Sequence, residues 1–186
     1  MTTLAPPARL TDAALECIAA YGVRKTSLSD VADRAGVSRS TVYRAFGDKD
    51  GLLRAVAAAE MARFLDQLDH EVPWDAPLRD ALEHAIDFTT RYLGDHAAFQ
   101  RILRQEPEEL IDVVLERPNE DDRSLHQFLR TAASERLKAT GYKFRVPTEQ
   151  AAEWLLRIAL SLLLAPATSV TTPGEVADLI LFGIGK

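Results

Sequence analysis

"VADRAGVSRSTVYRAFGDKDGL", residues 31–52, sets a small-residue turn between two short apolar runs and crowds hydroxyl, guanidinium and phenol groups onto the second. Just upstream, Ser27 and Asp30 have the spacing of a capping box, which opens a helix over Leu28–Ala35 that buries Leu28, Val31 and Ala35. Gly36 ends that helix, and Ser38 caps a second, very short one that reaches Phe46. Two short helices around a glycine turn make a helix-turn-helix. Val42 and Phe46 stand four residues apart, so they share a face and pack with Val37 against Val31 and Ala32. Arg39, Ser40, Thr41, Tyr43 and Arg44 are then left mostly outside.

That outer face offers hydrogen-bond donors throughout, which suits DNA. An arginine matches guanine O6 and N7 with two parallel bonds, serine and threonine reach bases or phosphates, and a threonine methyl packs on thymine. Tyr43 can bond a phosphate while its ring supports the helix. Asp48 caps a further helix beginning at Lys49, where backbone N–H groups and the lysine together hold a phosphate; Ser27 and its following amides can do the same, and Ser38 stands at the start of the reading helix. The arrangement describes a recognition helix flanked by backbone clamps. The same pattern also fits a charged surface helix that is merely solvated, and a generic helix-turn-helix does not separate the two.

Working outward, apolar residues recur at helical spacing along nearly the whole chain and no stretch alternates like a strand, so the fold class is all-α. A first helix spans Pro7–Tyr21, with Leu10, Ala14, Cys17 and Ile18 inward and Gly22 as its stop. The helix from Lys49 runs to about Leu68 and gives way to "HEVPWDAP", residues 70–77. Further helices are predicted over Leu78–Leu93, stopped by Gly94, then Ala97–Gln105, Glu108–Glu116 and Arg123–Ala139. After "TGYKFRVP", residues 140–147, the last two cover Thr148–Leu164 and Pro173–Gly183. Residues 1–55 read as a three-helix DNA-binding module and residues 56–186 as a helical bundle for ligand binding and dimerisation, with about nine helices in all.

Composition bounds the partners. The 186 residues are 47% hydrophobic and 27% charged, which excludes intrinsic disorder. The net charge of -6 is unevenly spread: residues 1–60 hold eight Lys or Arg against seven Asp or Glu, and the remainder 14 against 21. Cys17 is the single cysteine, flanked by Leu15, Ile18 and Ala19, and reads as a small buried hydrophobe in a reducing cytoplasm. The N-terminus lacks a signal-peptide pattern, and "WLLRIALSLLLA" is too short for a membrane span and carries Arg157. A cytoplasmic protein with no membrane association is expected.

"YGVRKTSLSDVADRAGVSRSTVYRAFGDKDGLL", residues 21–53, closely resembles the DNA-binding signature of the TetR family of bacterial transcriptional regulators. The matching positions are Gly22, Thr26-Ser27, Val31-Ala32, the Ala35-Gly36-Val37-Ser38 turn, Thr41-Val42-Tyr43, Phe46, Lys49 and Leu52. The resemblance implies phosphate binding by Tyr43 and Lys49 and base reading by Arg39, Ser40, Thr41 and Arg44. Gly51 departs from the pattern by weakening the first turn of its helix, and the N-terminal arm holds only Arg9, so no strong minor-groove arm is expected. Beyond about residue 55 the resemblance extends only to length, helical character and the position of the final two helices.

In "TEQAAEWLLRIALSLLLA" the polar residues Glu153, Arg157 and Ser161 fall on one narrow stripe and apolar residues occupy the rest, so the helix is buried on most sides. It is either the central helix of a monomeric bundle or, as the resemblance implies, half of a four-helix homodimer interface built from Trp154, Ile158, Leu162, Val176, Leu179, Ile180 and Gly183. A two-fold dimer suits a palindromic operator on double-stranded DNA. The resemblance also implies a cavity for a small-molecule effector. Phe64, Phe88, Tyr92, Phe99, Leu103, Phe128 and Trp154 supply apolar and aromatic wall material, with Thr89, Arg157 and Ser161 as polar contacts, favouring an apolar or aromatic ligand.

Other chemistry is poorly represented. His70, His84, His96 and His126 are scattered, which suits surface or capping roles rather than metal ligation, and no metal or cofactor is expected. "EPEELIDVVLERPNEDD" is carboxylate-rich, but its acids fall on a helix end and a loop where solvation accounts for them. No phosphate loop or nucleophile motif occurs. The expectation is a homodimeric, ligand-responsive repressor without enzymatic activity; the alternative is a helical small-molecule-binding or enzymatic protein whose DNA-binding module no longer functions.

Overall fold

Prolines and glycines cut this chain into helices at the places the apolar period breaks. The computed structural model describes residues 7–109, 125–164 and 172–184, and every regular element among them is an α-helix. In chain order these are α1 (Pro7–Tyr21), α2 (Leu28–Ala35), α3 (Arg39–Phe46), α4 (Lys49–Glu71), α5 (Leu78–Asp95), α6 (Ala97–Gln105), α7 (Leu125–Ala139), α8 (Thr148–Leu164) and α9 (Pro173–Ile184). The helix expected over Glu108–Glu116 lies mostly outside the described residues, as does the start expected at Arg123.

Gly94 does not stop α5, which carries it and ends at Asp95. A single glycine inside a long helix costs about 1 kcal/mol relative to alanine, too little to end it alone. The break comes instead at His96. Its backbone is extended, and its ring Nδ1 accepts the Phe99 N–H at 3.1 Å to start α6. On the other side of the ring, Nε2 lies 2.6 Å from a Glu60 carboxylate oxygen on α4.

Two compact units result, and they interleave along the chain. The first combines α1, α2 and α3 with α4 as far as Leu65, and with α6 and the end of α5 from Leu93. Its core stacks Leu10, Ala14, Cys17 and Ile18 of α1 on Val31, Ala32 and Ala35 of α2, Val42 of α3, Leu52 and Val56 of α4, and Ala98 of α6. Cys17 is fully buried, and burial raises the pKa of its thiol, so it acts as the small hydrophobe its flanks suggest.

The second unit holds Asp66–Tyr92 together with α7, α8 and α9. Leu78 and Leu82 of α5, Leu137 of α7, Ala151 and Ala152 of α8, and Val176, Ala177 and Ile180 of α9 form its core, closed by Phe144 from the α7–α8 connection. Polar clamps surround that core. Arg136 donates to both Asp69 carboxylate oxygens, at 2.6 and 2.5 Å, and Arg79 bridges α5 to Asp178 of α9 at 2.8 Å.

Leu52 has 0% exposure in the first unit, at the point where α4 begins. Its replacement by alanine leaves a cavity among helices from three other parts of the sequence, so L52A is expected to lose about 2–5 kcal/mol of stability in urea denaturation. A loss below about 1 kcal/mol would mean that the core closes without it.

Candidate nucleic-acid interface

The site is built from local rules at each helix end. Ser27 is the N-cap of α2: its Oγ accepts the Asp30 N–H at 3.3 Å, while Asp30 Oδ2 accepts the Ser27 N–H at 2.9 Å, completing the expected capping box. The Ser27 hydroxyl also donates to Asp30 Oδ2 at 2.6 Å. That hydroxyl, and then the backbone N–H, hold the Asp30 carboxyl below its usual pKa. A depressed carboxyl supports the fold at neutral pH and loses that contribution as pH falls through its lowered value.

Gly36 ends α2 with φ 66° and ψ 37°, a left-handed conformation that disfavours any side chain, and the Val37 N–H closes the turn on the Ala32 carbonyl at 3.0 Å. Ser38 then caps α3. Its Oγ accepts the Thr41 N–H at 3.2 Å and lies 2.8 Å from the hydroxyls of both Ser40 and Thr41. Within α3, Val42 is wholly buried and Phe46 packs against the same core, so the helix is anchored by one side.

The opposite side carries Arg39, Ser40, Tyr43 and Arg44, all exposed, with Tyr43 retaining 54% of its accessible surface. Neither Arg39 nor Arg44 is drawn into an ion pair with another described residue. Thr41 differs from its expected place outside. It is 5% exposed and its hydroxyl is turned back to Ser38, because its position beside Val42 faces the α2–α3 turn. Thr41 therefore finishes the cap and offers nothing to a ligand.

Asp48 caps α4 through its Oδ1, which accepts the Gly51 N–H at 2.7 Å. Gly51 weakens the helical turn less than it relieves a contact: a Cβ there would stand 2.0 Å from the Phe46 carbonyl oxygen. Beside it, Lys49 donates from Nζ to the Arg24 carbonyl at 2.9 Å. An ammonium has three N–H groups, so one bond locates the charge and leaves two donors. The surface thus presents, from one rigid module, a tyrosine hydroxyl, two guanidinium groups, a serine hydroxyl and a positioned ammonium.

The carboxylates after α6 are not simply solvated. Glu106 is 8% exposed and accepts the Val23 N–H at 2.6 Å, while Glu108 and Glu109 both pair with the Arg24 guanidinium. No spacing rule links residues more than 80 positions apart, so the sequence carried no signal for this.

The residues proposed for a ligand cavity divide between the two units. Phe64, Phe99 and Leu103 belong to the first and are half-buried, whereas Phe88, Tyr92, Phe128 and Trp154 belong to the second. Phe88 and Tyr92 are brought together, with ring centres 5.5 Å apart, and Thr89 spends its hydroxyl on the Ala85 carbonyl. Phe128, Trp154, Arg157 and Ser161 are exposed, and Arg157 pairs with Glu153 at 2.8 Å. They face solvent in the single chain because α8 buries its Ala151 and Ala152 side.

Two interface residues also need correction. Val176 and Ile180 lie in the core of the second unit, 8% and 5% exposed, because α9 turns that face toward α5 and α8. The opposite face holds Leu179, 60% exposed, Gly183, and Phe182, 86% exposed and absent from the sequence reading. Ile158 packs against the core, and the Leu162 side chain lies outside the described residues. Among the described residues no group of three or more His, Cys, Asp or Glu is placed to hold a metal, and no helix is long and apolar enough to cross a membrane.

Known proteins share this geometry. Residues 10–56 match the family described as bacterial regulatory proteins, tetR family. An uncharacterised HTH-type transcriptional regulator of Mycobacterium bovis is 36% identical over 88 residues, covering 47% of this chain and 44% of that protein. The chain thus matches less than half the length of that relative. Among solved structures, the TetR family repressor AlkX from Dietzia sp. has a TM-score of 0.67 at 21% identity, covering 95% of this chain and 94% of its own. The regulator FadR of Bacillus subtilis, solved with stearoyl-CoA, has a TM-score of 0.57 at 19% identity, covering 95% and 96%. With its helix-turn-helix matched in sequence and its helical fold shared along nearly the whole length, the chain belongs to the TetR family of bacterial regulatory proteins.

Proposed function

We propose that this protein is a sequence-specific DNA-binding transcriptional regulator, a repressor that occupies a palindromic operator as a homodimer. The observation that carries this reading is the outer face of α3. Arg39, Ser40, Tyr43 and Arg44 stand exposed on a helix anchored by Val42, with Lys49 held at the start of the next helix. Solvation alone does not require a buried cap at Ser38 and Thr41 or a lysine tied to a backbone carbonyl. In the major groove, Arg39 and Arg44 read base edges and Ser40 assists, while Tyr43 and Lys49 grip phosphates on either side. Ser27 and Ser38 bring helix N-termini to the backbone.

Homodimerisation is supported by the exposed apolar residues of α8 and α9. Trp154, Leu179 and Phe182 are more than half exposed in a single chain, a cost that pairing with a second copy removes. Two-fold pairing would set two α3 helices about 34 Å apart, one turn of DNA. Release by a small apolar or aromatic ligand is supported by Phe88 and Tyr92 in the second unit and by the acyl-CoA bound to the B. subtilis FadR. A coupling of about 1–3 kcal/mol between ligand and operator would change DNA affinity 5- to 150-fold.

Y43F and K49A are expected to weaken binding to all duplexes alike in fluorescence anisotropy, K49A also lowering the salt slope by about one phosphate. R39A and R44A should additionally relax base preference, by about 1–3 kcal/mol of lost discrimination at the contacted position. A uniform loss from all four would refute the division into clamps and readers. W154R is expected to convert the dimer to monomer in analytical ultracentrifugation; an unchanged mass would remove Trp154 from the interface.

A further inference from the structure

The turn between α1 and α2 is held from both sides. Glu106, at the C-terminal cap of α6, reaches into it with a carboxylate that is almost fully buried. Its Oε2 accepts the Val23 N–H at 2.6 Å and its Oε1 the Arg24 N–H at 3.4 Å. Gly22, with φ 85°, makes the approach possible: a Cβ there would lie 2.7 Å from Glu106 Oε1. Thr26, 2% exposed, bonds back to the Gly22 carbonyl at 2.7 Å, so residues 22–26 move as one piece. On the far side of that piece the Arg24 carbonyl receives the Lys49 ammonium at 2.9 Å.

A buried carboxylate is costly unless its oxygens are satisfied, and here backbone amides of the turn satisfy them. The turn cannot shift without orphaning those amides. Its Arg24 carbonyl is therefore a fixed acceptor, and the Lys49 ammonium takes its place from it. Arg24 is held a third time by its guanidinium, through Glu108 and Glu109, so the segment following α6 grips one residue of the turn at several points.

We infer that Glu106 is a positioning residue for the DNA-facing surface: its carboxylate sets the α1–α2 turn, and the turn sets the Lys49 ammonium. The assignment rests on the DNA-binding reading of α3 and Lys49. It places a determinant of DNA affinity on α6, outside the helix-turn-helix and outside residues 10–56. Glu106 need not touch DNA, and its effect passes through Lys49.

The test is a double-mutant cycle on a random-sequence DNA duplex, followed by anisotropy across a salt series, with helix content checked by circular dichroism. E106A should weaken binding about 10-fold, the effect of orphaning a buried amide that bonded a charged group. It should also lower the salt slope by about one phosphate, as K49A does. In the E106A/K49A double variant the second change should add less than about threefold, since both remove the same contact. E106Q keeps the volume and one carbonyl oxygen but turns an amide N–H toward a backbone donor, so it should fall between wild type and E106A. If E106A does not fold, E106Q with K49A carries the same cycle. Additive effects, or wild-type affinity and slope in a folded Glu106 variant, would overturn the assignment alone. A wild-type protein without salt-dependent DNA affinity would overturn the DNA-binding reading and this assignment with it.

Discussion

An eight-residue helix has about two turns and can bury only one side, and the burial of Val42 decides which side of α3 that is. With Val42 in the core, Arg39, Ser40, Tyr43 and Arg44 have no interior to occupy. The left-handed glycine at 36 and the Ser38 cap then fix where the helix begins, so its outward face is set in direction as well as composition. A helix this short has little stability of its own, and its order comes from the core beneath it. Function therefore depends on a packing contact that no ligand touches.

The same dependence extends past the helix-turn-helix. Helix α6 supplies Ala98 to the core of the first unit and Glu106 to the turn before α2, so the module is completed by a segment more than 40 residues beyond its last matched position. A cut in the sequence after residue 55 separates what packing joins. The interleaving of the two units means that α4 and α5 each contribute to both, and residues at the end of α6 have a direct mechanical relation to the DNA-facing surface.

Local signals made much of this legible in advance. Capping residues, turn glycines and the spacing of Val42 and Phe46 are short-range features, and the helix boundaries from Pro7 to Lys49 follow them closely. Thr41 was misplaced because a residue beside the buried stripe can turn either way, and its Ser38 bond is decided by the cap rather than by the period. The faces of α9 were misassigned for a related reason. Val176, Leu179, Ile180 and Phe182 are all apolar, so hydrophobicity alone does not say which face meets the core and which is left exposed. Glu106 was unreadable because its partners lie more than 80 residues away and are backbone amides, which leave no mark on residue identity.

The central claim, that α3 reads DNA sequence from a two-fold assembly, is tested most directly by selecting bound duplexes from a randomised pool with the purified protein and sequencing them. The account predicts enrichment of an inverted repeat whose half-sites are centred about one helical turn, ~34 Å, apart. A bound pool that remains as random as the starting one would contradict it.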